Sequence, residues 1–442
     1  MSYQAAIDQL SAMTPELFTQ PGQPRRKFSL SEFGVLLNAL GSPQRLFRSV
    51  LIAGTNGKGS TAATLASILT LSSVRTGLYT SPHLECPNER IRVNGAEISD
   101  DNFARHFFHV KETAQRLVAA DGLPQLPSFF EVLTAQAFLY FAEQGVELAV
   151  LEVGMGGRLD ATNIVDPLLS VVTDISLDHT EWLGSTIAAI TREKAGILRP
   201  GGTLITLPQL PEANQVLGEV AEELGARGVS ATEYMPPMGG AVGAPYVVEA
   251  LGEAVLVDSP LSGAHQHRNL ALAIAAAVEL KSTHGLPVTA VSIAAGIRKT
   301  SWPGRIEHIG GDGFEWILDV AHNPAGAWAL RSGLSGLLSE THPRCLVFSC
   351  LRDKPAAQLA QILFPLFDEV ILAPIHSARA TAIADLEAVA AATGSVATTA
   401  SSVSEALKLA AVRAQGGVAV ISGSVYLVGE ARSLLIKQGV QP

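Results

Sequence analysis

The sequence predicts a two-domain α/β protein, with a phosphate-binding loop and a parallel sheet in residues 1–300 and a second α/β unit in residues 301–442. Three observations carry this. An apolar strand over residues 50–53 runs into a turn holding Gly54, Gly57 and Gly59, then into a helical pattern over 60–71. Apolar strand patterns go on alternating with helical ones, which predicts a parallel sheet whose post-strand loops share one edge. Finally, Pro303 and Gly304 read as a hinge, after which strand and helix patterns resume in a chain of 442 residues, too long for one core.

Taken in order, Leu30, Phe33, Leu36, Leu37 and Leu40 have helical spacing, ended by Gly41 and Pro43. The basic run Arg25, Arg26 and Lys27 reads as a solvated loop without a role. In the glycine turn the backbone can approach an anion closely, its N–H groups and the helix N-terminus face that anion, and Lys58 adds a point charge. Only Thr55 and Asn56 separate Gly54 from the Gly57-Lys58 pair, a shorter spacing than the strict Walker pattern, so this is a variant loop. Gly59 also stands between Lys58 and Ser60, which makes the usual hydroxyl-to-magnesium assignment unsafe.

A strand over 75–79 delivers Thr80, Ser81, Pro82 and His83, and an irregular stretch follows through Asn94 and Gly95. Helices are predicted over 100–120 and 129–144. A strand over 148–153 then enters the Gly-rich loop 154–163, and one over 168–172 opens into 173–180, which includes Asp174, Asp178 and His179. Residues 191–196 close a helix. Residues 208–250 carry little signal, and 235–244, with Pro236 and Pro237, read as a flexible loop. An Ala-rich helix is predicted over 270–280, and strands over 315–320, 344–351, 369–373 and 418–423.

Hydrophobic residues make up 47% and charged residues 16%, which excludes disordered and fibrous classes. The net charge of −10 argues against a general nucleic-acid binder. With no signal-peptide pattern and no long apolar run, a soluble cytoplasmic protein without a membrane partner is expected. Cys86, Cys345 and Cys350 lack CxxC spacing, and the last two are predicted on opposite faces of one strand as reduced thiols.

The parallel-sheet geometry brings the phosphate loop, Ser81, Glu152 and His179 to one carboxyl edge. Glu152 ends an apolar strand, where an unpaired carboxylate costs several kcal/mol and so needs a cation or strong donors. His179 offers a neutral imidazole and Ser81 a hydroxyl, an oxygen-rich set that suits Mg²⁺ beside ATP. A helix cap for Ser81, a hydrogen-bonded loop histidine for His179 and a helix-dipole partner for Lys194 are the plainer alternatives.

Eight motifs then match in order: GTNGKGS at 54–60, TSPHL at 80–84, LEVGMGGRLDATN at 151–163, LDHT at 177–180, REKAG at 192–196, GAHQHRN at 263–269, PGR at 303–305 and DVAHNP at 319–324. With them, nearly the whole chain resembles the folylpolyglutamate synthase / dihydrofolate synthase family, a branch of the Mur ligase superfamily. The resemblance implies a P-loop ATPase domain followed by a Rossmann-like C-terminal domain. It implies that Thr55, Asn56, Gly57, Lys58, Gly59 and Ser60 hold the ATP phosphates, and that Ser81, Glu152 and His179 bind magnesium. It further implies a carbamate on Lys194 bridging a second metal, a monovalent cation, nucleotide contacts from Asn269, Arg305 and Asp319, and His322 near the transferred phosphate. Ser128, Phe129, Phe130, Glu131, Leu159, Asp160 and Ala161 match the pterin side.

The implied reaction joins L-glutamate to dihydropteroate or a reduced folate through an acyl phosphate, in a monomer whose C-terminal domain closes onto the nucleotide from an open form. A polyglutamate synthase without dihydropteroate activity, a cell-wall Mur ligase acting on a UDP-sugar peptide, and a nucleotide-binding regulator without turnover are the competing readings.

Overall fold

The protein, described by a computed structural model, is defined over residues 2–13, 29–237, 243–338, 341–437 and 439. The basic run 25–27 and part of the loop 235–244 lie outside these residues. The first sheet is built from β1 (Arg48–Ala53), β2 (Thr76–Tyr79), β3 (Ile91–Val93), β4 (Ala96–Glu97), β5 (Leu148–Glu152), β6 (Leu169–Val172), β7 (Thr203–Thr206) and β8 (Arg227–Ser230). Its spatial order is β4-β3-β2-β5-β1-β6-β7-β8. β1 pairs in parallel with both β5 and β6, placing Ile52 opposite Glu152 and Ala53 opposite Val172. The strand that feeds the phosphate loop therefore lies between the strands that deliver Glu152 and the 173–180 loop.

The sheet is mixed rather than wholly parallel. The stretch expected to be irregular holds a short 3₁₀ turn, Pro87–Arg90, and then a hairpin in which β3 pairs antiparallel with β2 and β4. Asn94 and Gly95 turn that hairpin with φ of 50° and 82°, the left-handed pair that a tight two-residue turn requires. Residues 208–250 also fold further than expected, into the helix Pro211–Glu223, β8 and the first strand of a hairpin, β9 (Tyr246–Ala250) with β10 (Glu253–Val257). Tyr246, Val248, Ala250, Val255 and Val257 are its inward face, closing one of the two cores that flank the sheet.

Two helices begin earlier than their apolar pattern. The phosphate-loop helix is Lys58–Leu71, not 60–71, so Lys58 occupies its first position behind Gly57 at φ 85°. The Ala-rich helix is Ala264–His284, with polar His265, Gln266, Arg268 and Asn269 in its first turns. Both starts are polar or glycine-rich because they face a cleft instead of the core. Against the phosphate-loop helix packs Ala290–Arg298, so closely that a Cβ on Gly296 would lie 2.4 Å from the Ile68 Cα. Gly296→Ala is expected to cost about 1–3 kcal/mol by overpacking, read as a lower midpoint of thermal unfolding. An unchanged midpoint would mean that the helices separate freely.

The second sheet comprises β11 (Glu307–Gly310), β12 (Glu315–Leu318), β13 (Arg344–Phe348), β14 (Glu369–Leu372), β15 (Ala397–Thr399) and β16 (Val418–Ser422) in the order β11-β12-β16-β13-β14-β15. It is parallel except for β11. Cys345 and Cys350 are buried free thiols in opposite cores of this sheet, although Cys350 lies past the end of β13. Among the described residues no helix is long and apolar enough to cross a membrane.

Candidate active site

A cavity of about 610 Å³ lies along the carboxyl edge of the first sheet and is closed on its far side by the loop after β12 and the helix Pro324–Leu338. Gly54, Thr55, Asn56, Gly57, Lys58, Gly59 and Ser60 line it, with Ser81, Glu152, His179, Lys194, Asn269, Arg305, Asp319 and His322. Every nucleotide, metal and catalytic position read from the sequence thus reaches one space.

The phosphate loop is held by backbone and by neighbours that tolerate only glycine. The Thr55 and Asn56 N–H groups both donate to the Asp174 carbonyl, at 2.8 and 3.2 Å. A Cβ on Gly54 would sit 1.8 Å from the Thr173 hydroxyl, and one on Gly57 would sit 2.1 Å from the Asn269 Oδ1. Asn269 therefore lies directly on the loop, its amide donating to Gln266 at 2.8 Å. Lys58 Nζ folds back to the Thr55 carbonyl at 3.2 Å.

Beside the loop, Glu152 accepts from the Ser81 N–H at 3.0 Å and is almost fully buried. Burial raises its carboxyl above the ordinary range, opposed by Lys58 and Arg305. His179, in the left-handed region at φ 50°, is kept neutral because burial lowers its imidazole to about 3. Lys194 donates to the Gly54 carbonyl at 2.7 Å from a buried position, and burial together with nearby Lys58 lowers its amine to about 7. On the opposite wall Asp319 accepts from the Ile306 and Ala321 N–H groups at 2.9 and 2.8 Å, and burial raises it to about 6 despite Arg305. His322 Nδ1 donates to the Val320 carbonyl at 2.8 Å, which leaves Nε2 free of that bond.

The donor set suits a magnesium ion shared with a substrate. Among the described residues no three His, Cys, Asp or Glu side chains converge as a self-sufficient metal site. The set here has only Glu152 and His179 of those types, so hydroxyl, water or phosphate oxygens must complete the coordination, as Mg²⁺ commonly requires beside nucleotides.

The positions matched in sequence to the pterin side lie outside the cavity lining. Ser128 and Glu131 form a capping box at the start of the helix Phe129–Glu143, with the Ser128 N–H donating to Glu131 at 2.7 Å. Asp160 accepts from the Thr162 and Met155 N–H groups, both at 3.0 Å. None of these, nor Phe129, Leu159 or Ala161, lines the cavity, but Phe130 and Asp160 abut Gly154, which does: a Cβ there would meet the Phe130 ring at 2.7 Å and Asp160 at 3.3 Å.

Sequence reasoning gave no role to several groups that the fold brings in. Asp174 accepts from Arg268 at 2.8 and 3.0 Å, tying the 173–180 loop to the Ala264–His284 helix. Asp178, Asn323 and Lys354 meet across the cleft. Asp174, Asp178, Arg268 and Asn323 lie in stretches the sequence singles out, whereas Lys354 does not; which carboxylate meets which cation is decided only by the fold.

Two domain families match the chain: the Mur ligase middle domain over residues 52–277 and the Mur ligase glutamate ligase domain over 304–425. The dihydrofolate synthase/folylpolyglutamate synthase of Mycobacterium tuberculosis is 38% identical, over 83% of this chain and 77% of its own length. The chain belongs to this family. Among solved structures, the Mycobacterium tuberculosis folylpolyglutamate synthase complexed with ADP superposes with a TM-score of 0.86 at 31% identity, covering 98% of each chain. E. coli FolC in complex with DHPP and ADP superposes with a TM-score of 0.82 at 28% identity, covering 99% of each. Both are family members with a nucleotide bound, and the two-domain fold extends over essentially all of each.

Proposed function

We propose that the protein is an ATP-dependent ligase that joins L-glutamate to dihydropteroate and to reduced folates, with its domains divided near residue 301. The observation that carries the reading is the single cleft in which the phosphate loop, Glu152, His179 and Lys194 face Arg305, Asp319 and His322. The same reading takes the enzyme as a cytoplasmic monomer, since one chain furnishes every site group.

A carboxylate is a poor electrophile, so it must be activated before an amine can attack. The N–H groups at the start of the Lys58–Leu71 helix and the Lys58 side chain hold the ATP phosphates, while Arg305 and His322, whose imidazole burial keeps neutral, approach from the other wall. The substrate carboxylate attacks the γ-phosphorus, giving an acyl phosphate and ADP. The amino group of glutamate then adds to the acyl carbon, loses a proton and expels phosphate. Glu152, His179 and the Ser81 hydroxyl would hold a magnesium ion, which supplies charge neutralisation at the phosphates. A second metal would rest on a carbamate at Lys194, whose buried amine is lowered to about 7. Closure of the cleft keeps water from the acyl phosphate.

Activity toward dihydropteroate is favoured by Phe130 and Asp160 standing against the cavity wall at Gly154, and by the names of the relatives. ADP release is the test, with ATP, magnesium and L-glutamate and either dihydropteroate or a reduced monoglutamyl folate. Glutamate-dependent release with both is expected. Release with the folate alone would leave a polyglutamate synthase, and silence with both would overturn the reading.

A further inference from the structure

We infer that Asp178 is a positioning residue that latches the two domains across the cleft, with Lys354 as its principal partner. Its Oδ1 accepts from Lys354 Nζ at 2.7 Å and its Oδ2 from Asn323 Nδ2 at 3.1 Å, with His322 Nε2 3.8 Å away. Asp178 belongs to the loop after β6, whereas these three partners belong to the loops after β12 and β13. One carboxylate of the N-terminal domain thus gathers three side chains of the other. Asn323 extends the contact to the phosphate loop, donating to Asn56 Oδ1 at 3.0 Å and accepting from Asn56 Nδ2 at 3.4 Å.

The domains also touch near the linker, and the chemistry there differs. A Cβ on Gly429 would lie 1.8 Å from the Leu84 carbonyl, and Arg432 pairs with Glu85 and Glu307. That contact combines a close backbone approach with an ion pair between Arg432 and Glu85, and neither of those two residues lines the cavity. The Asp178 contact is polar and nearly closed to solvent, its Lys354 and Asp178 side chains 6% and 10% exposed. Each charge is tolerated in the closed cleft only because the other is present, and each regains water when the cleft opens. Removing one partner therefore penalises the closed arrangement specifically, while neutralising both relieves the penalty. The loop bond between Asn323 and Asn56 makes the phosphate loop part of the same closed arrangement.

The positioning role rests on the ligase reading above, but the latch does not, so two readouts separate them. Solution scattering of full-length protein with ATP and magnesium reads domain closure, and ADP release reads turnover. Lys354→Met and Asp178→Asn are each expected to give a more extended particle than wild type, with melting temperature nearly unchanged and kcat lowered by at least about tenfold. The double variant Asp178→Asn/Lys354→Met should recover much of the compact profile. If Asp178→Asn does not fold, Lys354→Met, altered in a loop of the other domain, still decides. Profiles of both single variants matching wild type, or a double variant as extended as the singles, would overturn the latch. Extended singles and a compact double variant in a protein without ligase turnover would uphold the latch while removing the ligase reading.

Discussion

Glu152→Gln should leave a folded protein with almost no turnover. Gln has nearly the same volume and still offers an oxygen to the Ser81 N–H, so the end of β5 keeps its packing. It lacks the charge that a magnesium ion needs. Loss of a group one shell out from a metal typically costs about 10–100-fold, so loss of a direct ligand should exceed about a hundredfold in kcat/KM. Stability should move the other way. Burial disfavours the ionised form of Glu152, which raises its pKa, so a neutral isostere should match or raise the melting temperature in the absence of metal. Circular dichroism, thermal melting with and without magnesium, and initial rates over a range of magnesium concentrations are the measurements. Near-normal turnover at saturating magnesium would make Glu152 a structural carboxylate.

Lys194→Ala should also lose at least about a hundredfold in turnover, since it removes the group proposed to anchor a second metal. The physical basis is a buried amine lowered to about 7, a substantial fraction of which is neutral at ordinary pH. A neutral amine can add to carbon dioxide, forming an N–C bond and releasing one proton, which turns a cation into a carboxylate. The carbamate should accumulate as pH rises above about 7 and fade below it, where the ammonium form cannot react. Carbon-13 spectra of protein equilibrated with labelled bicarbonate would show it directly. Wild-type activity in Lys194→Ala, or an active enzyme without a carbamate signal above pH 7, would sink the idea. Loss of activity alone would not establish it, because a plain lysine beside the Gly54 carbonyl also lies within the phosphate site.

The substitutions differ in what they ask of the fold. Glu152 and Lys194 act inside one domain, at the edge of one sheet, so their variants leave the domain arrangement intact. Lys354 acts between domains, so its loss should change the shape of the particle before it changes the site.

What the sequence alone determined was whatever depends on near neighbours in the chain. Three glycines around Lys58 specify an anion-binding turn, because only glycine takes the φ of 85° at Gly57 and leaves room for Asn269 there. Apolar runs ending in polar loops specify parallel strands and the edge on which their loops collect, which was enough to place Ser81, Glu152 and His179 together. Tertiary structure decided the rest. The β3–β4 hairpin and the β9–β10 hairpin are short strands whose inward residues complete the cores on either side of the sheet, and the dominant βα pattern gives no sign of which core they close. The first turns of the Ala264–His284 helix are polar because they face the cleft, and a periodicity argument that looks for buried apolar residues starts the helix too late. Above all, Asp178, Asn323 and Lys354 are separated by 145 and 176 positions along the chain, and only the docking of two sheets selects that pairing. Local sequence sets which groups a loop carries; which charge is left without water, and which partner compensates it, is settled by what packs over that loop.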